Sequence, residues 1–338
     1  ADGDELFAFL IPRDGTLDSP LSASEEYDVY VSTINQPYQG YVSETLIGPI
    51  NDVPAAGIKP TSFVTASGTA WISFVSATGE VRWSRASNSH EDVVSNSGLD
   101  AAYISRSPDG SKQAIAEKGT RFIWVYDYDE AEWTKYEALG PSYAEEATDS
   151  AVSLVDSVGF DHTGNKIIFD YLNCIPEPGA EGGCADTWGI GVLDLNSGFE
   201  YPFPSQKTTV DLGFPKFART RNDVFVFDAL FWNDFETTGK AQSAVLIYNT
   251  ATREFAVVAN PNVSQDKVFA FGMPSFVGAD EAVSFNVELD SSMLAWQASL
   301  DTNNGMYSLA ADPYTNLLPF DSGFGHPFRK AYQDIYAR

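Results

Sequence analysis

A repeated unit of strand, turn and strand constrains the fold of this chain more than any other sequence feature. In the clearest copy, strands are predicted at 102–107, 112–117, 121–127 and 133–139, with a polar turn at 108–111. Pro108 presets φ for that turn and Gly110 permits a positive φ, so a tight hairpin is predicted between the first two strands. Repeats of several tens of residues built from short strands are typical of propellers and solenoids.

Four further copies follow the same order of elements. In one of them, an Asn196-Ser197-Gly198 turn separates two β-rich runs, which predicts a hairpin. The anchor residues of the copies are Phe63, Ile104, Phe160, Phe217 and Phe276. They are roughly 40 to 60 residues apart, the spacing expected of four-stranded blades. Five internal blades are therefore predicted over about 59–323.

The two ends of the chain carry unmatched strand-like runs. These runs lie at 5–11, 27–32 and 40–46 near the N-terminus and at 325–328 and 334–337 near the C-terminus. Together they predict a sixth blade, shared by about 1–48 and 324–338, in which the first and last segments pair. Such closure removes exposed sheet edges. The prediction is an all-β fold, a single six-bladed β-propeller domain over 1–338 with four-stranded antiparallel blades.

The Ser107-Pro108-Asp109-Gly110 turn, and later strands that end in Tyr-Asp or Leu-Asp before a turn, resemble the repeats of TolB-like six-bladed β-propellers. Residues 161–164 keep the Asp and Gly in shifted form, whereas 218–222 and 277–280 depart from the pattern. The resemblance implies a periplasmic or extracellular protein whose relatives mostly bind proteins or ligands, with some lyases and peptidase-associated propellers. It implies little about chemistry, because one architecture hosts unrelated functions.

The charge of the chain limits its partners. Acidic residues outnumber basic ones by 47 to 20, for a net charge of -27, and they are scattered along the sequence. Nucleic acid is excluded as an expected partner, because phosphate recognition needs clustered Lys and Arg. No apolar run approaches the roughly 18 residues of a membrane helix, so membrane insertion is not expected either.

The two cysteines indicate the compartment. Cys174 and Cys184 lie in a Pro- and Gly-rich segment that has no second Cys pair and no nearby His to complete a zinc site. We therefore predict a disulfide between them, and with it an oxidising compartment. The chain opens at Ala1 in a sequence that resembles a mature end left by signal cleavage. The expected location is secreted, cell-surface or periplasmic.

Long connections predict a ligand-binding face. In a four-stranded blade, the connection from the second to the third strand opens on one face and the two hairpin turns open on the other. Those connections are predicted to be long at 12–26, 173–187, 229–243 and 288–305. Loops longer than about 12 residues in a compact domain are commonly functional. The predicted ligand-binding residues are Phe231, Trp232, Asp234, Glu236, Asp290 and Trp296.

Two interpretations of these aromatic residues stay open. Exposed aromatic rings beside carboxylates suit sugar stacking or a protein hot spot. Alternatively, Trp232 and Trp296 fold back and form small cores under their own loops.

Metal-dependent and histidine-dependent sites receive weaker support. Asp301 and Asn303 offer clustered oxygen ligands of the kind that calcium takes, as does the segment 127–132, although turn formation explains the same residues. The strand plan puts His90 and His162 on the turn side and His326 on the opposite face, which argues against one shared histidine site. No nucleophile motif or phosphate-binding loop is present in the sequence.

The leading hypothesis is therefore a propeller without catalytic activity that binds a protein or a glycan through its long-loop face. The alternative is a carbohydrate-active lyase or hydrolase, using carboxylates or a bound cation such as calcium at the mouth of the central channel. A third hypothesis is a surface protein that binds metal through carboxylates and a solitary histidine.

Overall fold

The computed structural model describes the chain in two kinds of stretch. The longer stretches are 99–141, 152–177, 183–203, 208–232, 242–259, 268–289, 292–303 and 306–316. The shorter ones are 6–12, 27–33, 45–47, 61–64, 70–75, 81–85, 93–95, 334–336 and the single residue 179. The described residues form twenty-four β-strands in six four-stranded antiparallel sheets.

Each sheet is one blade. Blade 1 consists of β4 (Thr61–Val64), β5 (Ala70–Val75), β6 (Val81–Arg85) and β7 (Val93–Ser95). Blade 2 consists of β8 (Ala101–Arg106), β9 (Lys112–Glu117), β10 (Phe122–Asp127) and β11 (Glu132–Glu137). Blade 3 consists of β12 (Val152–Phe160), β13 (Lys166–Pro176), β14 (Cys184–Asp194) and β15 (Gly198–Glu200).

The remaining blades continue this order. Blade 4 consists of β16 (Val210–Phe217), β17 (Val224–Phe231), β18 (Gln242–Asn249) and β19 (Glu254–Ala259). Blade 5 consists of β20 (Val268–Val277), β21 (Ala282–Leu289), β22 (Ser292–Asn303) and β23 (Met306–Asn316). Blade 6 combines β24 (Asp334–Tyr336) with β1 (Leu6–Pro12), β2 (Tyr27–Thr33) and β3 (Thr45–Ile47).

The ring closes through the two ends of the chain. Strand β24 pairs antiparallel with β1, so that Leu6 lies opposite Tyr336 and Ala8 opposite Asp334. The first strands of the six sheets are neighbours in a circle, in which β24 contacts β4, each later one contacts the next, and β20 contacts β24 again. These strands therefore line the centre of a β-propeller.

Burial explains why the second strands of blades 2 to 5 are so apolar. In β13, five consecutive residues from Ile167 to Tyr171 are buried, because neighbouring blades cover both faces of the strand. The outer strand β11 is exposed at most positions and carries charged residues. Gly191 lies opposite Phe169, and a Cβ at that position would stand 2.3 Å from the ring, so only glycine fits there.

The hairpin turns follow the sequence prediction. Gly110 and Gly164 adopt positive φ values of 78° and 70°, as the turns before β9 and β13 require. The side chain of Asp109 accepts hydrogen bonds from the Ser107 hydroxyl at 2.6 Å and the Ser111 amide at 3.0 Å. Burial alone would raise the pKa of Asp109, but these hydrogen bonds outweigh it and lower that pKa.

Several strands are longer than predicted, so the connections between them are shorter than predicted. The prediction of a loop over 288–305 was wrong. Strand β21 continues to Leu289 and β22 begins at Ser292, so only 290–291 lie between them. The fourth strand of this blade, β23, begins at Met306. Both neighbours of β22 pair with it, so the ladder satisfies the backbone of this stretch.

The connection of blade 3 is also shorter than predicted. Strands β13 and β14 pair as far as Pro176 opposite Cys184, which leaves 177–183 between them. The connection of blade 4 is shorter than predicted as well, because it spans 232–241 instead of 229–243, and Phe231 ends β17 instead of lying in a loop. The strands of blade 6 leave 13–26 between them, close to the predicted 12–26.

Candidate functional site

We call the side of the propeller where the second strand of each blade connects to the third the loop face, and the opposite side the turn face. On the loop face of blades 3 and 4, side chains gather around Asp211, near the start of the innermost strand β16. Trp232, directly after β17, donates a hydrogen bond from its indole nitrogen Nε1 to Asp211 Oδ2 at 2.7 Å. The backbone amide of Trp188 on β14 donates to Asp211 Oδ1 at 2.9 Å, and the Thr187 hydroxyl donates to the same oxygen at 3.1 Å. One carboxylate therefore joins blade 3 to blade 4 beside the 232–241 connection.

Two tryptophans and a phenylalanine accompany this carboxylate. Trp232 and Trp188 are both half-buried. Phe231 is half-buried as well and packs on the apolar cluster between blades 3 and 4. We call Asp211, Trp188, Phe231 and Trp232 the loop-face cluster.

Trp296 lies elsewhere. It stands inside β22, opposite Phe285 on β21 and Asn316 on β23. Its ring packs on the core shared by blades 4 and 5, with its centroid 6.2 Å from that of Tyr314, and its indole nitrogen is buried. Of the two interpretations that the sequence left open for Trp296, the structure favours the packing role.

The other predicted ligand-binding residues, Asp234, Glu236 and Asp290, lie outside the described residues. Of the predicted calcium ligands, Asp301 is exposed on β22, and Asn303 ends that strand opposite Met306. Asp127 accepts hydrogen bonds from the amides of its own turn, at Asp129 and Glu130, which is the turn-forming role. Within the described ranges, no three His, Cys, Asp or Glu side chains gather closely enough to hold a metal ion.

The histidines that the sequence analysis considered do not form a described site. His162 is exposed in the turn between β12 and β13, on the turn side as predicted. His90 and His326 lie outside the described residues.

A second group of carboxylates lies along the innermost strands. The ladders of β12, β16 and β20 shift register at equivalent places, between 155 and 158, 213 and 216, and 272 and 275. Asp170 on β13 and Asp228 on β17 stand opposite two of these bulges. Asp170 is 2% exposed. Asp228 keeps a small exposed area, although protein surrounds its carboxyl group.

Burial raises the pKa of all three carboxyl groups in this region. Asp228 reaches a pKa of about 7, because desolvation and the charge of Asp170 outweigh its hydrogen bonds. Asp156, half-buried in the β12 bulge, reaches about 6 through burial and then through the charge of Asp170. The pKa of Asp170 itself is raised by burial, against the lowering influence of the backbone hydrogen bonds from Phe214 and Ser157, the nearby Ser157 side chain and the charge of Lys216.

Sequence analysis missed Asp211, Asp170 and Asp228. A usable signal was present for two of them, since the fifth residue of the second strand is Asp170 in blade 3, Asp228 in blade 4 and Asn286 in blade 5. No comparable repeat marks Asp211, whose partners belong to two different blades.

The predicted disulfide is present. Cys174 and Cys184 are bonded, with their Cα atoms 5.5 Å apart. It crosslinks the paired ends of β13 and β14 near the loop face, where the sequence predicted that it would staple a loop. Such crosslinks persist in oxidising compartments, so the disulfide indicates an extracytoplasmic protein. The described part of the chain contains no helix with the length and hydrophobicity that a membrane crossing requires.

Comparison with known proteins supports the fold class. No protein-family model matches the chain, and no curated protein sequence matches it. Among solved structures, TolB from Acinetobacter baumannii is similar, with a TM-score of 0.54 and 13% sequence identity over 89% of this chain. The match covers 62% of that TolB chain. The protein therefore has the fold of a TolB-like β-propeller.

Two further structures are similar at lower scores. A putative TolB from Agrobacterium tumefaciens gives a TM-score of 0.49 and 11% identity, covering 100% of this chain and 99% of the other. An oligogalacturonate lyase from Vibrio parahaemolyticus gives a TM-score of 0.48 and 10% identity, covering 88% and 72%. Identities this low concern the fold, and the activity has to be argued from the site.

Proposed function

We propose that this protein is an extracytoplasmic binding propeller, without catalysis of its own, that recognises a protein or a glycan through its loop face. The observation that carries the proposal is the loop-face cluster. There the carboxylate of Asp211 fixes the indole of Trp232 by its nitrogen, and the half-buried ring of Trp188 lies on the neighbouring strand. A ring held in this way offers its face to a ligand with little further loss of conformational entropy, as in binding hot spots.

The charge of the neighbouring segments supports a neutral or cationic ligand. In the sequence, the stretches that connect strands at this face in blades 3 to 5 carry more carboxylates than lysines. The connections hold Glu177, Glu181, Asp234, Glu236, Asp266 and Asp290, and Asp186, Asp211 and Glu288 lie on adjoining strands, against Lys207, Lys240 and Lys267. Like charges across an interface are costly, so polyanionic glycans and acidic proteins are disfavoured. Asp234, Glu236 and Asp290 belong to the proposed ligand-binding residues.

The proposal is tested with a glycan array and a random-peptide phage library, followed by affinity measurements on the selected binders. Trp232→Ala should weaken binding by about 1 kcal/mol or more, roughly fivefold in Kd or greater, because an anchor ring is lost. The matched control is Phe255→Ala, which removes an aromatic ring that is 56% exposed on the outer strand β19. This control should leave affinity unchanged.

Trp296→Ala provides the contrast within the same experiment. Because its ring packs on the core of blades 4 and 5, this change should cost about 3 kcal/mol in the free energy of unfolding and affect affinity only indirectly. Binders that lose affinity with Phe255→Ala but not with Trp232→Ala would overturn the loop-face assignment.

A second candidate function, glycan cleavage, is favoured by one observation. Asp156 is half-buried on an innermost strand, and its pKa of about 6 keeps part of the population protonated near neutral pH, as a general acid requires. Incubating the protein with each glycan that it binds, followed by mass spectrometry of the products, distinguishes the two functions. Intact glycans support binding alone, and shortened products support an enzyme.

A further inference from the structure

The innermost strands of blades 3 and 4 are joined by one buried carboxyl group. Asp170 Oδ1 accepts a hydrogen bond from the backbone amide of Ser157, in the bulge of its own blade, at 2.6 Å. Asp170 Oδ2 accepts another from the amide of Phe214, in the bulge of blade 4, at 2.8 Å. The two oxygens of one side chain therefore hold two successive blades.

The same arrangement recurs one blade further on. Asp228 accepts a hydrogen bond from the amide of Gly213 in its own blade. Its Oδ2 accepts one from the amide of Met273, in the bulge of blade 5, at 2.9 Å. A Cβ at Gly213 would stand 2.9 Å from Asp228 Oδ1 and 3.8 Å from Asp170 Oδ2, so glycine permits the close approach of both carboxyl groups. Phe214 and Met273 have positive φ values of 45° and 51°.

The two positions differ in how their charge is balanced. Lys216 on β16 lowers the pKa of Asp170, and its Nζ donates to the Val158 carbonyl at 3.3 Å. Among the described residues, the charge that raises the pKa of Asp228 is that of Asp170, which has the same sign. Strands β18 and β20, which pack against β17, contain no charged residue, and β16 contributes only Asp211 and Lys216. On β12, the charged group near Asp170 is Asp156.

We propose that Asp170 and Asp228 form a pH-sensitive clasp, which holds blades 3, 4 and 5 together at the centre of the ring and weakens when the carboxyl group of Asp228 loses its proton. When Asp228 is protonated, its buried carboxyl group carries no charge, so Asp170 does not repel it. In the ionised form, the same two amides are still bound, but a buried negative charge then lies across Gly213 from the carboxyl group of Asp170. Blade 5 carries Asn286 at the equivalent position, a neutral side chain that cannot titrate.

The direction of the pH dependence follows from the raised pKa. Because the pKa of Asp228 rises from 3.8 to about 7 on folding, the stabilisation is complete below pH 3.8 and is lost as the pH rises towards 7. Between pH 5 and pH 8, this one group should increase the unfolding equilibrium constant by about a hundredfold. Asp156, with its pKa of about 6, adds a second change in the lower part of that interval.

The experiment measures urea unfolding of the full chain at pH 5, 6, 7 and 8. The wild-type unfolding equilibrium constant should rise between pH 5 and pH 8, and about a hundredfold of this rise should come from Asp228. In Asp228→Asn, that hundredfold contribution should be absent. The matched control is Asp223→Asn in the same blade, because Arg221 lowers the pKa of Asp223 and so keeps its titration below this interval. This control should leave the slope unchanged. An unaltered slope in Asp228→Asn would overturn the proposal.

Asp170→Asn separates the clasp from a simple loss of packing. Removing the charge of Asp170 should lower the pKa of Asp228. Stability should therefore still fall as the pH rises, but the fall should begin at a lower pH than in wild-type protein. If Asp228→Asn does not fold, infrared spectroscopy of wild-type protein carrying 13C-labelled aspartate keeps the test decisive. A protonated carboxyl band that disappears near pH 7 supports the clasp, and complete ionisation of every aspartate at pH 5 overturns it.

Discussion

The turn face and the loop face of blades 2 to 5 use carboxylates for different purposes. On the turn face, Asp161 accepts hydrogen bonds from the amides of Asn165 and Lys166, both at 2.9 Å, and so fixes its own turn. On the loop face, Asp211 binds groups from two blades. Local bonds of the first kind follow from neighbouring residues in the sequence, whereas bonds of the second kind exist only when the ring has formed.

Asp280 shows that the turn face also contains an inter-blade contact. This residue is 2% exposed and lies in the turn of blade 5, yet it accepts hydrogen bonds from the amides of Arg219 at 2.6 Å and Thr220 at 3.0 Å in blade 4. The Thr220 hydroxyl donates to it as well. The turns at 218–222 and 277–280, which depart from the Ser-Pro-Asp-Gly pattern, therefore bind each other.

The largest effect is expected from Asp280→Ala, which breaks this contact. Two amides and one hydroxyl would lose their acceptor, so the free energy of unfolding in urea should fall by about 3 kcal/mol. Asp280→Asn keeps an acceptor oxygen and should cost about 1 kcal/mol. A loss below about 1 kcal/mol in the alanine variant would show that the two turns contribute little to joining their blades.

Removal of the disulfide tests the loop face. The double variant Cys174→Ser/Cys184→Ser should lose up to about 3 kcal/mol in the chain-entropy model, because a short loop of the unfolded chain is released. Far-UV circular dichroism should remain that of the folded protein, and hydrogen exchange should accelerate at the ends of β13 and β14 only. Two free thiols in unfolded, unreduced wild-type protein would contradict the crosslink.

The smallest effect is expected from Asp109→Ala, which removes bonds confined to one turn. The change should cost about 1 kcal/mol, since the lost acceptor is exposed and water replaces it. Because the pKa of Asp109 is lowered on folding, its stabilisation is present above pH 4 or so and is lost as the pH falls through the lowered pKa. Thermal melting of the wild type and the variant at pH 7 and pH 2.5 measures both parts. Equal differences at the two pH values would argue against the ionised carboxylate as the source.

Connection lengths show where prediction from sequence reached its limit. The stretch 288–305 was predicted as one long connection, but β21 and β23 pair with Ser292–Asn303 on both sides and make it a strand. Trp296 was predicted at the loop face for the same reason, and its ring packs in the blade instead. Pairing with neighbouring strands decides whether such a stretch is a strand, and the sequence of one segment does not show which neighbours satisfy its backbone.

The sequence by itself determined the repeated blades, the closure of the ring by its two ends, the turns at Gly110 and Gly164, and the disulfide. Each of these depends on residues that are close in the chain or on a period of roughly 40 to 60 residues. Only the tertiary structure decided which carboxylates bridge blades, at Asp170, Asp228, Asp211 and Asp280. Their partners lie as many as 61 positions away in the sequence, so no local pattern specifies these contacts until the blades stand side by side.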